Sequence, residues 1–387
     1  MGSDCVTKVG IAYVGCGYVA DLYQKTLSNW QDTLDLRGVF DIDPNRLKVF
    51  GDFYGVPTYT DVDTLLNDPT VDVVVNLTNP DQHYAVSKRC LEHGKHVYSE
   101  KPLALDLEQA KELIETAKAA GLHIVSAPSS TLGEAAQTLI KAVRDQARGT
   151  PRLIYAEIDD GLVHRMGYQN WRTASGALWP ARDEFQTGCT LEHAGYALTW
   201  LVVMFGPVQR VVSYARCLIK DKGPDTPQAY TTPDYSCASL EFANGVSARL
   251  TNSIIAPHDH TFRVFCDDGI LSLDETWDFA AKVRSIPVAE TRLHRQFQKI
   301  FGWDRAKILK PNSNRKIATA RRGYHMDFAL GVAEMAQAIQ AGRAPRLAGN
   351  FSLHITEVSL AIQHPERFGT EYIPQSTAQS VAPMDWS

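Results

Sequence analysis

The first third of the chain alternates short apolar runs with stretches of helical periodicity, the pattern of parallel strands joined by crossover helices. Residues 8–14 and 36–40 read as strands, with a helix over 19–27 between them. The run Val71-Asp72-Val73-Val74-Val75-Asn76-Leu77 is nearly continuous in Val and Leu, as a strand covered on both faces requires. Shorter strands are predicted at 96–98 and 124–125. Between them Asp106 and Gln109 have capping-box spacing, Ala110, Leu113, Ile114 and Ala117 share one helical face, and Gly121 ends the helix.

After Ala127-Pro128 the pattern changes to longer alternating strands, at 153–158 and 208–218. A further pair, 237–242 and 246–252, is joined across Asn244-Gly245, a strong hairpin signal. Strands at 261–266 and 270–273 follow, flanked by helices at 191–205, 327–341 and 352–363. The prediction is an α/β N-terminal domain with a parallel sheet, residues 1–128, and an α+β C-terminal domain with a large, mostly antiparallel open sheet, residues 129–387. The tail from 374 reads as frayed. Two separate cores are expected, because 387 residues exceed the size at which one core keeps growing.

A formal net charge of -5 argues against a nucleic-acid binder, which needs clustered base in excess of acid. The one dense basic stretch, Lys307, Lys310, Arg315, Lys316, Arg321 and Arg322, reads as a solvated loop. Seven cysteines without Cys-x-x-Cys spacing point to reduced thiols and carry no zinc signal. With no basic segment leading into an apolar run at Met1-Gly2-Ser3-Asp4 and no run of roughly 20 apolar residues, a cytoplasmic protein without membrane or metal is expected.

Gly15-Cys16-Gly17-Tyr18-Val19-Ala20 follows a predicted strand and opens a helix, the context a Gly-x-Gly-x-x-Ala dinucleotide motif needs. Gly15 permits the tight turn, Gly17 lets a pyrophosphate reach the backbone, and Ala20 lets helix and strand pack closely. The helix start then offers N–H groups and positive dipole to the phosphates. Asp41, at the end of the second strand, suits a ribose diol. Its charge and the absence of an adjacent Arg or Ser favour NAD over NADP. The first domain is therefore predicted to be a Rossmann domain.

Asn79-Pro80-Asp81-Gln82-His83 and Gly94-Lys95-His96-Val97-Tyr98-Ser99-Glu100-Lys101-Pro102 resemble the glucose-fructose oxidoreductase and inositol dehydrogenase family, Gfo/Idh/MocA, whose signature is the Glu-Lys-Pro turn. The resemblance implies that Lys101 points at the substrate hydroxyl beside the nicotinamide. It also implies that Glu100 supports the turn and that Thr78, Asn79 and His83 border the cofactor pocket; a structural role fits His83 equally well. The family's second motif, Asp-x-Gly-x-His, is altered here. Counted back from Gly206, Glu192 takes the acidic position and Tyr196 the histidine position; a second register puts His193 and Ala197 there. The first keeps both chemical types and the helix length. Tyr196 then exchanges a proton with the substrate while Lys101 favours its phenolate, and Glu192 binds a further hydroxyl or orients Lys101. His193 and the loop residues Arg165, Trp171 and Arg172 are weaker substrate candidates, the indole as a stacking surface for a sugar.

These readings converge on an NAD-dependent dehydrogenase acting on a sugar, cyclitol or sugar derivative, and on a homodimer or homotetramer. A glycoside-cleaving enzyme that uses NAD transiently and a non-catalytic NAD-binding regulator are the alternatives.

Overall fold

Alternation along the strands decides how the first sheet is covered. In the computed structural model, which describes residues 8–289, 291–301, 305–313 and 325–387, strands β1 (Val9–Val14), β2 (Leu34–Phe40), β3 (Val73–Asn76), β4 (His96–Ser99) and β5 (Ile124–Ser126) lie parallel in the order β2-β1-β3-β4-β5. Ile11, Tyr13, Val73, Val75 and Tyr98 face one layer, while Ala12, Val14, Val74 and Val97 face the other. The second layer is sealed by helices Val62–Leu66, His83–Glu92 and Leu107–Ala119. Asp106 caps the last of these, accepting the backbone N–H of Glu108 at 2.9 Å.

The first layer differs from expectation. Helices Tyr18–Leu27 and Pro44–Tyr54 cover part of it through Ala20, Tyr23 and Phe50, and helix Leu330–Gln340 from the far end of the chain covers a further part. Gly331 makes that approach possible, because a Cβ there would stand 2.3 Å from Tyr98 Oη. Asp327 anchors the segment, accepting Trp30 Nε1 at 3.1 Å and Asn29 Nδ2 at 3.2 Å. One apolar cluster thus runs from Val9 through Trp200 to Ile362, and the two separate cores expected from length are joined. The physical reason is that the N-terminal segment lacks a helix of its own for this part of the sheet.

The second sheet has nine strands: β6 (Pro151–Asp159), β7 (Val208–Arg216), β8 (Tyr235–Phe242), β9 (Ser247–Ser253), β10 (Phe262–Cys266), β11 (Gly269–Leu273), β12 (Val283–Pro287), β13 (Lys307–Leu309) and β14 (Glu371–Tyr372). Their order is β13-β12-β11-β10-β6-β9-β8-β7-β14, antiparallel except where β6 meets β9. The predicted hairpin joins β8 to β9, with Gly245 at φ 80° in its turn. Helices Cys189–Phe205 and Asn350–Gln363 cover one face. The other is open, leaving Val212 and Tyr214 41% and 52% exposed.

The tail beyond 374, expected to fray, is tied down. Gln375 and Ser376 donate their N–H groups to Glu357 at 2.8 Å each, Met384 N–H reaches Gln137 Oε1 at 3.0 Å, and Arg346 bonds Pro383 O at 2.9 Å. Its Ser, Gln and Pro content reads as linker, but the partners that order it are distant in sequence. Met1 to Asp4, Cys5, Arg315, Lys316, Arg321 and Arg322 lie outside the described residues; Lys307 and Lys310 are exposed. Among the described residues no helix is long and apolar enough to cross a membrane.

A pH test follows from β4. His96 stacks on His123 with 5.4 Å between ring centroids, and its Nδ1 accepts the His123 backbone N–H at 2.9 Å. Burial and His123 lower the His96 pKa from 6.5 to about 4. The unfolded chain therefore takes up this proton first, so the stabilising contribution is complete above pH 6.5 and is lost as pH falls toward 4. Discounted for partial exposure, the loss should be about 1–2 kcal/mol. His96→Asn, which keeps an acceptor but does not titrate, should show that much less acid sensitivity in denaturant unfolding at pH 7 and pH 4.5; identical pH dependence would refute the assignment.

Candidate active site

The turn from β1 into helix Tyr18–Leu27 is built by its glycines. Gly15 has φ 99°, and a Cβ there would lie 2.6 Å from the Leu77 carbonyl. Gly17 differs: its φ is -74° and a Cβ would meet nothing within 4 Å. Open space therefore lies above the helix start, where N–H groups and the helix dipole favour an anion. This is a fit for a dinucleotide's pyrophosphate. Cys16 is a core residue whose thiol pKa burial and Asp41 push up to about 12, so its backbone is the part presented to the loop.

Asp41 stands just past β2 and accepts the N–H of Cys16 at 2.7 Å and of Asp43 at 2.8 Å. The first bond ties it to the glycine loop, and the second is the turn contact its neighbours suggest. Arg46, five residues on, was not anticipated. Its guanidinium reaches Cys16 O, Ser175 O and Oγ, and the Asp21 carboxylate. Asp21 also accepts Ser175 N–H at 2.9 Å and Tyr54 OH at 2.7 Å. A loop of the second domain is thereby fastened over the first turn of the nucleotide helix.

The Glu-Lys-Pro turn leaves the C-terminal end of β4. Tyr23 OH donates to Glu100 Oε1 at 2.8 Å, and Lys101 N–H donates to Oε2 of the same carboxylate at 3.0 Å. His83 is buried, its ring nitrogens 2.7 Å from Pro102 O and 3.0 Å from Thr78 O, and burial lowers its pKa. It braces the turn against the loop after β3. Thr78 Oγ1 is held by Asn76 at 2.7 Å, and Asn79 reaches across to Asp183 at 2.6 Å.

From this turn Lys101 Nζ forms an ion pair with Glu192 Oε2, on the first turn of helix Cys189–Phe205. Glu192 Oε1 is buried without a hydrogen-bond partner, and the Glu184 carboxyl lies beside the same group. Burial opposes the Lys101 charge, but Glu192, Glu184 and Tyr196 outweigh it and raise its pKa. Glu192 is itself raised, by burial and then by Glu184, with Lys101 pulling the other way. Lys101 is therefore the fixed cation, and Glu192 the carboxyl that can hold a proton. Tyr196, one helical turn on, packs on Trp277 with 5.0 Å between ring centroids.

One cleft is lined by Gly17, Tyr18, Val19, Thr78, Asn79, His83, Glu100, Lys101, Glu192 and Tyr196. Gly15, Cys16 and Asp41 are not in its lining, and neither are four predicted substrate residues. Arg165 is exposed in a turn. Arg172 is exposed on the strap that the β-bridge to Leu178 makes. Trp171 packs on Trp179 at 5.0 Å, and it is Trp179 that borders the cleft. His193 turns toward Asp160, 3.8 Å away, because it is one position off the Glu192 face. Sequence reading missed Glu184, Trp179, Trp277, Met326 and Phe328 in the lining. Only Glu184 carried a signal, as an acid in a short helix just before the motif.

Comparison with known proteins agrees with this architecture. The family model for an oxidoreductase family with an NAD-binding Rossmann fold, Gfo/Idh/MocA, matches residues 9–127, and the model of the Gfo/Idh/MocA C-terminal domain matches residues 136–272. The chain belongs to the Gfo/Idh/MocA oxidoreductase family. It is 38% identical over 122 residues to an inositol 2-dehydrogenase/D-chiro-inositol 3-dehydrogenase of Lactiplantibacillus plantarum, 31% of this chain and 34% of that protein. With trans-1,2-dihydrobenzene-1,2-diol dehydrogenase of Mus musculus it shares 25% over 236 residues, 61% of this chain and 65% of that one. The chain thus spans between about a third and two thirds of these curated relatives. An NAD binding oxidoreductase from Klebsiella pneumoniae has the same fold, with TM-score 0.76 at 19% identity over 97% of this chain and 100% of that one. So does a levoglucosan dehydrogenase solved with NADH and levoglucosan, with TM-score 0.76 at 16% identity over 95% and 100%.

The two glycines give contrasting predictions. Gly17→Ala should leave the melting temperature within about a degree, since its Cβ meets only open space, yet weaken NAD binding at least about tenfold in calorimetry, about 1.4 kcal/mol. Gly15→Ala, forced to a positive φ against backbone, should cost about 2 kcal/mol or more of stability as well. Equal melting temperatures for the two variants would contradict this reading of the loop.

Proposed function

We propose that the chain is an NAD(H)-dependent oxidoreductase acting on a secondary alcohol or ketone of a sugar, cyclitol or sugar derivative, with Lys101 and Tyr196 as the proton-transfer pair. The observation that carries the reading is the single cleft in which the glycine loop, Lys101, Glu192 and Tyr196 meet. NAD, when bound by Gly15 to Val19 and Asp41, supplies the hydride acceptor. In the oxidation direction Tyr196, as phenolate, takes the proton of the substrate hydroxyl. The Lys101 ammonium favours that phenolate and donates a hydrogen bond to the same oxygen. Glu192, through its unpartnered oxygen, accepts from a neighbouring hydroxyl and so selects for a polyol. The names of the two relatives, for a cyclitol and for a cyclic 1,2-diol, fit this substrate class.

NADH absorbance with a panel of free sugars, cyclitols, sugar phosphates and nucleotide sugars checks the reading. One class should reduce NAD, and Lys101→Ala and Tyr196→Phe should each lower kcat by roughly 10²–10⁴ while NAD still binds in calorimetry. Cleavage of glycosides without net NADH would instead indicate transient use of NAD. Bound NAD with no turnover of any class would indicate a regulator.

The open face of the second sheet, with Val212 and Tyr214 exposed, supports association of two or four copies across it. Light scattering at micromolar protein should give a dimer or tetramer; a monodisperse monomer would refute it.

A further inference from the structure

We propose that Asp160, His258 and His260 bind one divalent transition-metal ion beside the cleft, with Glu275 as the carboxylate that orients both imidazoles. The backbone brings the three together. Asp159 and Asp259 form an antiparallel bridge, exchanging N–H to O bonds of 2.9 Å and 3.0 Å. His258 and His260 flank Asp259 on the opposite side of the chain, and Asp160 adjoins Asp159, so alternation turns all three the same way. One donor atom of each lies within 4.8 Å of the others.

Glu275 sets the rings. Its Oε2 is 2.9 Å from His258 Nε2, and its Oε1 is 2.9 Å from His260 Nδ1. Each imidazole thus spends one N–H on the same carboxylate, the outer arrangement that fixes metal-binding histidines. His260 is 1% exposed, and its remaining nitrogen, Nε2, is buried and hydrogen-bonds to nothing. A buried nitrogen with no hydrogen-bond partner is a donor atom that a cation would satisfy.

Two imidazoles and one carboxylate suit zinc and its neighbours better than magnesium or calcium. Donors about 2.1 Å from a tetrahedral zinc lie roughly 3.4 Å apart. The three donors lie within 4.8 Å of one another, so a zinc ion would draw them together to reach that spacing. Three protein ligands leave a position open to water or substrate, unlike the closed four-ligand structural type. The site also touches the cleft wall: the Trp277 ring lies 4.3 Å from His260 and 5.0 Å from Tyr196, and Trp277 N–H donates to Glu275 at 2.8 Å.

The test uses full-length untagged protein stripped with chelator. Calorimetric titration with zinc should show one ion per chain with Kd of about 1 µM or tighter. Cobalt in its place should give visible d–d bands without thiolate charge transfer. His258→Ala and Asp160→Asn should each weaken zinc binding at least about 30-fold, whereas His93→Ala, at an exposed histidine elsewhere, should not. Unchanged NAD binding in the variants would show that they fold. No binding at 100 µM zinc, a thiolate signature, or equal affinity in wild type and both ligand variants would overturn the site.

Discussion

The ion pair of Lys101 and Glu192 is the constraint around which the cleft is organised. The lysine comes from a turn of the nucleotide-binding sheet and the carboxylate from a helix of the second domain; they are 19% and 3% exposed. A charge so placed without its partner costs about 3–5 kcal/mol. The supporting contacts follow from that requirement. Tyr23 and the Lys101 backbone grip Glu100, His83 ties Pro102 to Thr78, and Gly188, at φ 94°, starts the second helix where Glu192 falls on its first turn. Asp21, Arg46 and Ser175 make a second junction between the domains at the cofactor end.

The pair is also asymmetric in a way that suits chemistry. One oxygen of Glu192 neutralises Lys101 while the other is left buried and unsatisfied, and Glu184 adds negative charge beside it. Satisfied groups would make a rigid salt bridge with nothing to offer. Here a donor and an acceptor are both in place before any ligand arrives.

What the sequence made legible was what short-range chemistry encodes. Strands β1 to β5 could be read because apolar runs and helical periodicity are local, and the glycine loop because Gly15 admits a backbone conformation that other residues resist. Lys101, Glu192 and Tyr196 could be placed because a turn motif and a helix end marked by Gly206 fix their spacing. The rest depended on distant partners. Trp179 rather than Trp171 borders the cleft because of a β-bridge between Arg172 and Leu178 that no periodicity announces. Trp277, Met326 and Phe328 enter it from loops. Glu357 orders a tail whose composition alone suggests none.

The return of helix Leu330–Gln340 to the first sheet has a consequence for biosynthesis. A chain emerging from the ribosome completes β5 by Ser126, yet Tyr98 and its neighbours in that layer stay only partly covered, by Tyr23, until some two hundred further residues have been made. The nucleotide-binding half therefore cannot mature as an independent vectorial unit. Throughout elongation it carries an apolar surface, and ending translation before Gly331 would leave that surface permanently uncovered.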